Sequence, residues 1–448
     1  MAGARRAAAG ARRAAEERAT ASSSGPSATG PADAFERTYG FPFDDFQRRA
    51  CTALADGSSV LVAAPTGAGK TVVGEFAAWL ALQGTGKTFY TTPIKALSNQ
   101  KYGDFLGLHG PSNVGLLTGD NSLNGDAPIV VMTTEVLRNM IYEDSPELHA
   151  LEYVVLDEVH YLQDRYRGGV WEEILIHLPV DVKIVSLSAT VSNAEEFAEW
   201  LQTLRGRTEV IIEEQRPVEI KHWYFASDEL LPMFVQKPDG EVLPNPRGRE
   251  LDRRRRRDGS SRPGPKGRRE REKRARIPWR SEVVDRLASD RMLPAIYFIF
   301  SRKGCDEAVR QCMREGIRLT SPDERGQIVA YAESRVADLN LNELDVLGYG
   351  EWVEGLARGL AAHHAGMIPP FKETVEELFV RGLIKVVFAT ETLALGINMP
   401  ARSVVLERLV KWNGETHADV TPGEYTQLTG RAGRRGIDVE GHAVVLWT

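Results

Sequence analysis

Cysteine is nearly missing from the chain: Cys51, Cys305 and Cys312 are the three in 448 residues, and none stands at a zinc-type spacing from histidine. That excludes a disulfide framework and a Cys/His metal site, and it fits a reducing, cytoplasmic setting without disulfide-linked partners. Long apolar runs are lacking too. No stretch approaches the roughly 18 consecutive apolar residues of a membrane span, so no membrane role is expected. The opening MAGARRAAAGARRAAEERATASSSG has no apolar centre for a secretory signal, and Glu16, Glu17 and the interrupting glycines argue against a transit peptide. Residues 1–34 therefore read as a disordered tail. A fixed-period repeat is also absent, which sets solenoids aside.

What is present is ordinary globular material, 42% hydrophobic, in a length that can bury two or three cores. The net charge of −6 conceals an asymmetry. Residues 247–276 carry 15 Lys/Arg against 5 Asp/Glu, a local +10 that leaves the remaining chain near −16. With almost no apolar residues this stretch cannot offset its ordering entropy by burial, so 236–280 reads as a disordered basic insertion. It is either a solvated linker or an extra electrostatic contact to nucleic-acid phosphates.

On both sides of it, short β-rich runs alternate with amphipathic stretches. SSVLVAAP, KTFYTTP, PIVVMTT, YVVLDE and KIVSLSAT read as buried parallel strands, followed later by PAIYFIFS, IKVVFAT, RSVVLE and GHAVVLW. Helical spacing marks 72–83 and 371–382. The fold class expected is α/β, two tandem units with domains at 35–225 and 281–448. Ligands in such sheets collect beyond the carboxyl ends of the strands, so the residues following each run are the ones to inspect.

The first such place is AAPTGAGKT, residues 63–71, a phosphate-loop pattern in which Ala64 stands where glycine is usual. Pro65, Thr66, Gly67, Ala68 and Gly69 form the turn, in which the backbone N–H groups after Pro65 would cradle phosphate oxygens at a helix N-terminus. Lys70 would reach the β- and γ-phosphates, and Thr71 would hold Mg²⁺. The second is YVVLDEVHYL, where Asp157 and Glu158 end an apolar strand. Adjacent buried carboxylates are costly unless compensated, and a metal would compensate them. Asp157 is then a Mg²⁺ ligand, and Glu158 orients and deprotonates the attacking water.

APTGAGKT, LDEVH and SLSAT, followed by ATETLALGINMPA and QLTGRAGRRG, resemble motifs I, II, III, V and VI of the superfamily-two nucleic-acid helicases, a family in which alanine opens the phosphate loop. GFPFDDFQ, HHAGMIPPFKE and RLVKWNGETHADVTPGEY are similar to the superkiller-type and exosome-cofactor DExH RNA helicases and their bacterial relatives. The resemblance implies two RecA-like lobes with ATP and Mg²⁺ between them. It makes Gln47 the reader of the adenine edge and Phe41 the base-stacking ring. Gln427 falls near the γ-phosphate or attacking water, Gly396 and Asn398 near the cleft, and Arg431 and Arg434 become arginine fingers acting when the lobes close. His160, Ser188, Ala189 and Thr190 would couple the ATP site to the strand.

By the same resemblance the nucleic-acid track uses Thr92, Pro93, Lys95, Thr118, Gly119, Asp120, Thr133, Thr134, Glu135 and Thr390. These are mostly small hydroxyl and backbone groups, suited to sequence-independent contact with sugar and phosphate. Tyr90, Tyr102, Trp412 and Tyr425 could each be core or stacking aromatics. The expected partner is single-stranded or 3′-tailed RNA, travelled 3′ to 5′ at the expense of ATP, with an RNA-degradation or ribosome-associated protein as a further partner. The alternatives are a DNA helicase of the same superfamily and a nucleotide-gated clamp that does not unwind. Relatives of this type continue into a winged helix and a helical bundle beyond the position of HAVVLWT, so the chain is expected to be a fragment with weak unwinding.

Overall fold

The computed structural model describes residues 30–163, 167–189, 194–226, 229–248, 250, 278–337, 339–393, 399–412 and 416–447. Thr190, Gly396 and Asn398 lie outside them, as do most of the tail and of the basic insertion. The short helix Pro31–Glu36 lies just where the tail was expected to end, with Phe35 buried against Phe76 and Trp79.

The first lobe is one eight-stranded sheet made of β1 (Ser59–Ala63), β2 (Lys87–Thr92), β3 (Val114–Leu117), β4 (Ser122–Leu123), β5 (Ile129–Thr133), β6 (Leu151–Leu156), β7 (Lys183–Ser188) and β8 (Thr208–Ile212). Their order is β4-β3-β5-β2-β6-β7-β1-β8, and every pairing is parallel except the edge hairpin β3–β4. β1 and β5 are buried at every position. That is why they read as unbroken apolar runs: a parallel strand covered on both faces has no solvent side to alternate toward. The helix Thr71–Gln83 follows β1 and lies so close to the sheet that a Cβ on Gly74 would meet Tyr90 at 2.9 Å and Val155 at 3.1 Å. Glycine is required there.

The second lobe is a seven-stranded sheet. It contains β9 (Glu219–Ala226) and β10 (Glu229–Pro232) and then, beyond a small hairpin of β11 (Phe234–Gln236) and β12 (Val242–Pro244), β13 (Ala295–Phe298), β14 (Leu360–His363), β15 (Val386–Ala389) and β16 (Ser403–Leu406). A second hairpin, β17 (Val410–Trp412) with β18 (His417–Asp419), precedes the last strand, β19 (Glu440–Leu446). The order is β10-β9-β19-β16-β13-β15-β14.

Two boundaries differ from the sequence reading. β9, placed by sequence in the first domain, pairs in parallel with β19 along Glu219–Phe225 and belongs to the second sheet. The segment 236–248, read as part of a disordered insertion, carries β12 and bonds such as Asn245 N–H to Met233 O at 2.8 Å. The connection between the sheets is thus the short stretch 213–218, and the basic segment interrupts the second lobe.

Candidate nucleotide site and strand track

β1 delivers the phosphate loop. Ala64 is fully buried, and its N–H donates to Ser188 O at 3.2 Å, joining the loop to the end of β7. Gly67 and Gly69 have φ of +84° and +91°, a left-handed backbone that side chains resist. At Gly69 a Cβ would also strike Gln47 Nε2 at 2.7 Å. Lys70 is half-buried at the start of the helix and donates to Ala64 O at 2.7 Å and Pro65 O at 3.3 Å. Burial holds its pKa below the usual lysine range, opposed by the charges of Glu158 and Asp157.

Asp157 follows β6. Tyr90 donates its hydroxyl to Asp157 Oδ2 at 2.7 Å, and the Glu158 N–H donates to Oδ1 at 2.9 Å. Burial, then the neighbouring Glu158 charge, pushes the Asp157 carboxyl upward. Glu158 itself has φ of +52°, a conformation costing a non-glycine residue about 1–2 kcal/mol. His160 Nδ1 lies 3.3 Å from Glu158 Oε2, and burial keeps this imidazole below its ordinary pKa. Next to it, the Tyr161 hydroxyl, pushed up to about 12 by burial and by Glu158, is hydrogen-bonded to Gln427 of the second lobe.

The opposite wall is the turn 430–436. Arg431 is half-buried, its pKa lowered by desolvation and supported chiefly by Glu158. A Cβ on Gly430 would sit 3.2 Å from the Thr66 Cβ, so the turn touches the phosphate loop. Arg434 does not face that loop. It makes two bonds to Asp438, at 2.8 and 2.9 Å, because the acid four residues on is buried and demands a cation. Arg435 takes the place at the loop, donating to Ala68 O at 3.0 Å and to Asp44 at 2.9 Å. The positive φ of Gly433 and Gly436 turns the chain between the three arginines, a geometry their spacing alone does not reveal.

Gln47 is buried; it accepts from Asp44 N–H at 2.8 Å and donates to Gly69 O at 2.9 Å, bracing the phosphate loop. Phe41 is 49% exposed and packed edge-on to Tyr39, so it is not a core aromatic. Ser188 is buried at the end of β7, and Ala189 follows it.

The strand track differs. Thr92 is buried, bonded through its hydroxyl to Ile94 O and Ser98 Oγ, and Thr134 donates to Thr92 O at 3.1 Å. Thr133 is the buried N-cap of the helix Thr134–Tyr142, with Glu135 partly exposed in its first turn. Pro93 O accepts from Arg167 at 3.2 Å. Thr118 closes a turn with Asp120 and Asn121; Gly119 and Asp120 are exposed, and Asp120 pairs with exposed Lys95. Thr390 bonds Thr392 across 3.0 Å. Hydroxyl groups expected to meet the strand are thus largely engaged inside the lobe, leaving backbone edges and the Lys95–Asp120 pair outside.

Of the four unassigned aromatics, Tyr90 is buried on Asp157, Tyr102 packs on the first core, and Tyr425 stacks on His222. Trp412, 56% exposed on the β17–β18 hairpin, presents its ring to solvent. Lys411 beside it is tied to Glu391 and, at 2.6 Å, to Glu424. Sequence reasoning left Tyr90 open between core and stacking roles and did not single out Tyr161, Arg216 or Arg435. Each acts through a contact between segments far apart in the chain, and only Arg435, third arginine of GRAGRRG, carried a local signal.

A family model described as DEAD/DEAH box helicase matches residues 44–197, and one described as helicase conserved C-terminal domain matches 307–436. A probable helicase HelY of Mycobacterium tuberculosis is 58% identical over 429 residues, covering 93% of this chain and 46% of the relative. The DExH-box ATP-dependent RNA helicase DExH15 of Arabidopsis thaliana is 42% identical over 449 residues, 92% of this chain and 37% of its own. Superkiller complex protein 2 of Homo sapiens is 41% identical over 430 residues, 93% of this chain and 34% of its own. The chain therefore spans less than half the length of these relatives. No helix among the described residues is long and apolar enough to cross a membrane.

Proposed function

Because the chain belongs to the DExH-box helicases of the superkiller type, we propose that it hydrolyses ATP in response to a bound RNA strand and moves along that strand 3′ to 5′. The observation that carries this reading is the convergence of Lys70 and Arg431, from two lobes, on Glu158 beside a glycine-rich loop. Two partly desolvated cations facing one acid favour a polyanion that offsets the cations while its reacting end meets the acid.

Each residue then has a task. Lys70 exchanges the carbonyls of Ala64 and Pro65 for phosphate oxygens, and the left-handed glycines leave the loop N–H groups open to the same anion. Thr71 and Asp157 would hold Mg²⁺, which supplies charge neutralisation at the phosphoryl oxygens; two protein ligands plus phosphate is the usual arrangement for this ion. Glu158 positions the attacking water and takes its proton. Arg431 stabilises charge developing on the transferring phosphoryl group. Gln427, held by Tyr161, links the same spot to the second lobe. Gln47 and exposed Phe41 supply a base-recognition edge and a stacking face beside the loop.

Lobe closure couples hydrolysis to the strand, since Arg431 reaches Glu158 only across the cleft. RNA is favoured over DNA because the Arabidopsis relative is named an RNA helicase, and a cytoplasmic setting with an RNA-degradation partner is proposed with it, as the resemblance described above implies. The lobes proposed as domains are those at 35–225 and 281–448, amended by the membership of β9 and β10 in the second sheet.

ATP hydrolysis measured with and without single-stranded RNA or DNA of matched length tests the reading, with Glu158→Gln as the control. RNA stimulation that vanishes in the variant is expected. Greater stimulation by DNA would transfer the substrate to DNA, and no hydrolysis with either strand would overturn the proposal.

A further inference from the structure

Arg216 lies on the connector 213–218, between β8 of the first sheet and β9 of the second. Its Nη2 donates to Gly430 O at 3.0 Å and Ala432 O at 3.4 Å in the second lobe, and to Thr66 O at 3.5 Å in the phosphate loop of the first. These partners are neutral carbonyls, and the Nε is buried without a hydrogen-bond partner among the described residues. A guanidinium taken out of water and bonded only to carbonyls is held there at a cost, since arginine cannot shed its proton to escape. Its charge also bears on Lys70, as does that of Arg431, so three cations crowd the place where Asp157 and Glu158 are the acids.

We propose that Arg216 is a positioning residue that pins the phosphate loop to the turn bearing Arg431, so that the connector sets how the lobes meet. One guanidinium nitrogen, Nη2, bonds the backbone of both lobes within a residue or two of the groups that would hold phosphate. Thr66 and Gly430 already touch, and the pin keeps them in that register. Without it the turn can slide across the loop, and Arg431 loses its place opposite Glu158 while Lys70 and the loop glycines stay intact. The kinetic side of this inference rests on the ATPase reading above; the geometric side does not.

The test uses Arg216→Lys and Arg216→Gln in the whole chain. Three readouts are taken: kcat and KM for ATP with saturating strand, equilibrium affinity for a fluorescent ATP analogue, and the lobe-to-lobe distance by energy transfer. Dyes go on Val180→Cys and Glu315→Cys, both exposed, since the three native cysteines are buried. With Arg216→Gln, kcat is expected to fall at least about tenfold, the scale of a misplaced catalytic group. Analogue affinity should change far less, and the nucleotide-free distance distribution should shift. Arg216→Lys should sit between, because its ammonium keeps the charge on a shorter, flexible stem that holds the carbonyls of the two lobes less rigidly than the planar guanidinium does.

Wild-type kcat and an unchanged distance distribution in Arg216→Gln would overturn the inference. So would a loss of analogue affinity equal to the loss of kcat, or full recovery in Arg216→Lys, which would reduce the role to charge alone. If the wild-type chain hydrolyses no ATP, the function reading fails by itself, and the distance measurement still decides the pin.

Discussion

The two surfaces proposed to work in this molecule are built on opposite plans. The proposed ATP wall gathers charge away from water: burial shifts Lys70, Asp157 and Arg431, and the charge of Glu158 bears on all three. The proposed strand track engages most of its hydroxyls in bonds within the lobe and leaves outward mainly backbone and one exposed ion pair, while one exposed indole, Trp412, stands on a hairpin of the second lobe. Buried charges are costly and permit few arrangements, so a site made of them is narrow in residue type and spacing. Backbone contact permits nearly any side chain that keeps the chain path. The difference teaches why one surface announces itself and the other does not.

Substitutions can break or sharpen that contrast. On the charged wall the largest effect belongs to Glu158→Gln, expected to lower kcat by about 10²–10⁴-fold while nucleotide still binds, as loss of a general base does. Residual activity above a tenth of wild type, in steady-state hydrolysis, would remove Glu158 from that role. The arginines of the facing turn come next. Arg431→Ala should lower kcat by about 10²–10³-fold. Arg434→Ala should leave kcat nearly intact and instead lower unfolding stability by about 1–3 kcal/mol, because Asp438 is left buried and unpaired. Parallel rate assays and urea titrations separate the two, and a reversed pattern would mean that Arg434, not Arg431, faces the phosphate.

Effects on the track should be smaller and of another kind. Trp412→Ala should weaken single-strand affinity by the 1–3 kcal/mol or so of one lost stacking contact, with basal hydrolysis unchanged. Fluorescence anisotropy with a labelled strand checks this, and unchanged affinity would leave the indole a bystander. Smallest is Thr134→Val, expected to lower stability by about 1 kcal/mol through the lost bond to Thr92 O, with no change in strand affinity. Weaker strand binding at full stability would show that the hydroxyl does reach the strand, and the contrast between the surfaces would fail.

Much of the fold was legible because its strands are unbroken apolar runs. SSVLVA and PIVVMT could hardly be anything but covered parallel strands, and the glycine-rich turn after β1 had one sensible use. β9 was not legible as part of the second sheet. EIKHWYFA mixes polar and apolar residues, and it owes that place to β19, more than 200 residues away in sequence and invisible from it. The candidate site divides along the same line. Lys70, Asp157 and Glu158 lie on local patterns and were readable. The choice among Arg431, Arg434 and Arg435 hung on a turn and on Asp438, and Arg216 hung on carbonyls of two distant loops. Residue type can be read from a sequence; the direction a long side chain takes is decided by whichever partner is nearest in space.

The parallel pairing of β9 with β19 also bears on how the chain would behave if cut. The second sheet is stitched from chain on both sides of the arginine-rich stretch, with β9 and β10 before it and β13 to β19 after. A tryptic nick within that stretch would therefore produce two polypeptides that comigrate under native conditions and part only in denaturant. Each would carry part of the second sheet, and two separately expressed pieces divided at that point should reassemble by strand complementation, whereas pieces divided at the connector 213–218 would separate as whole lobes.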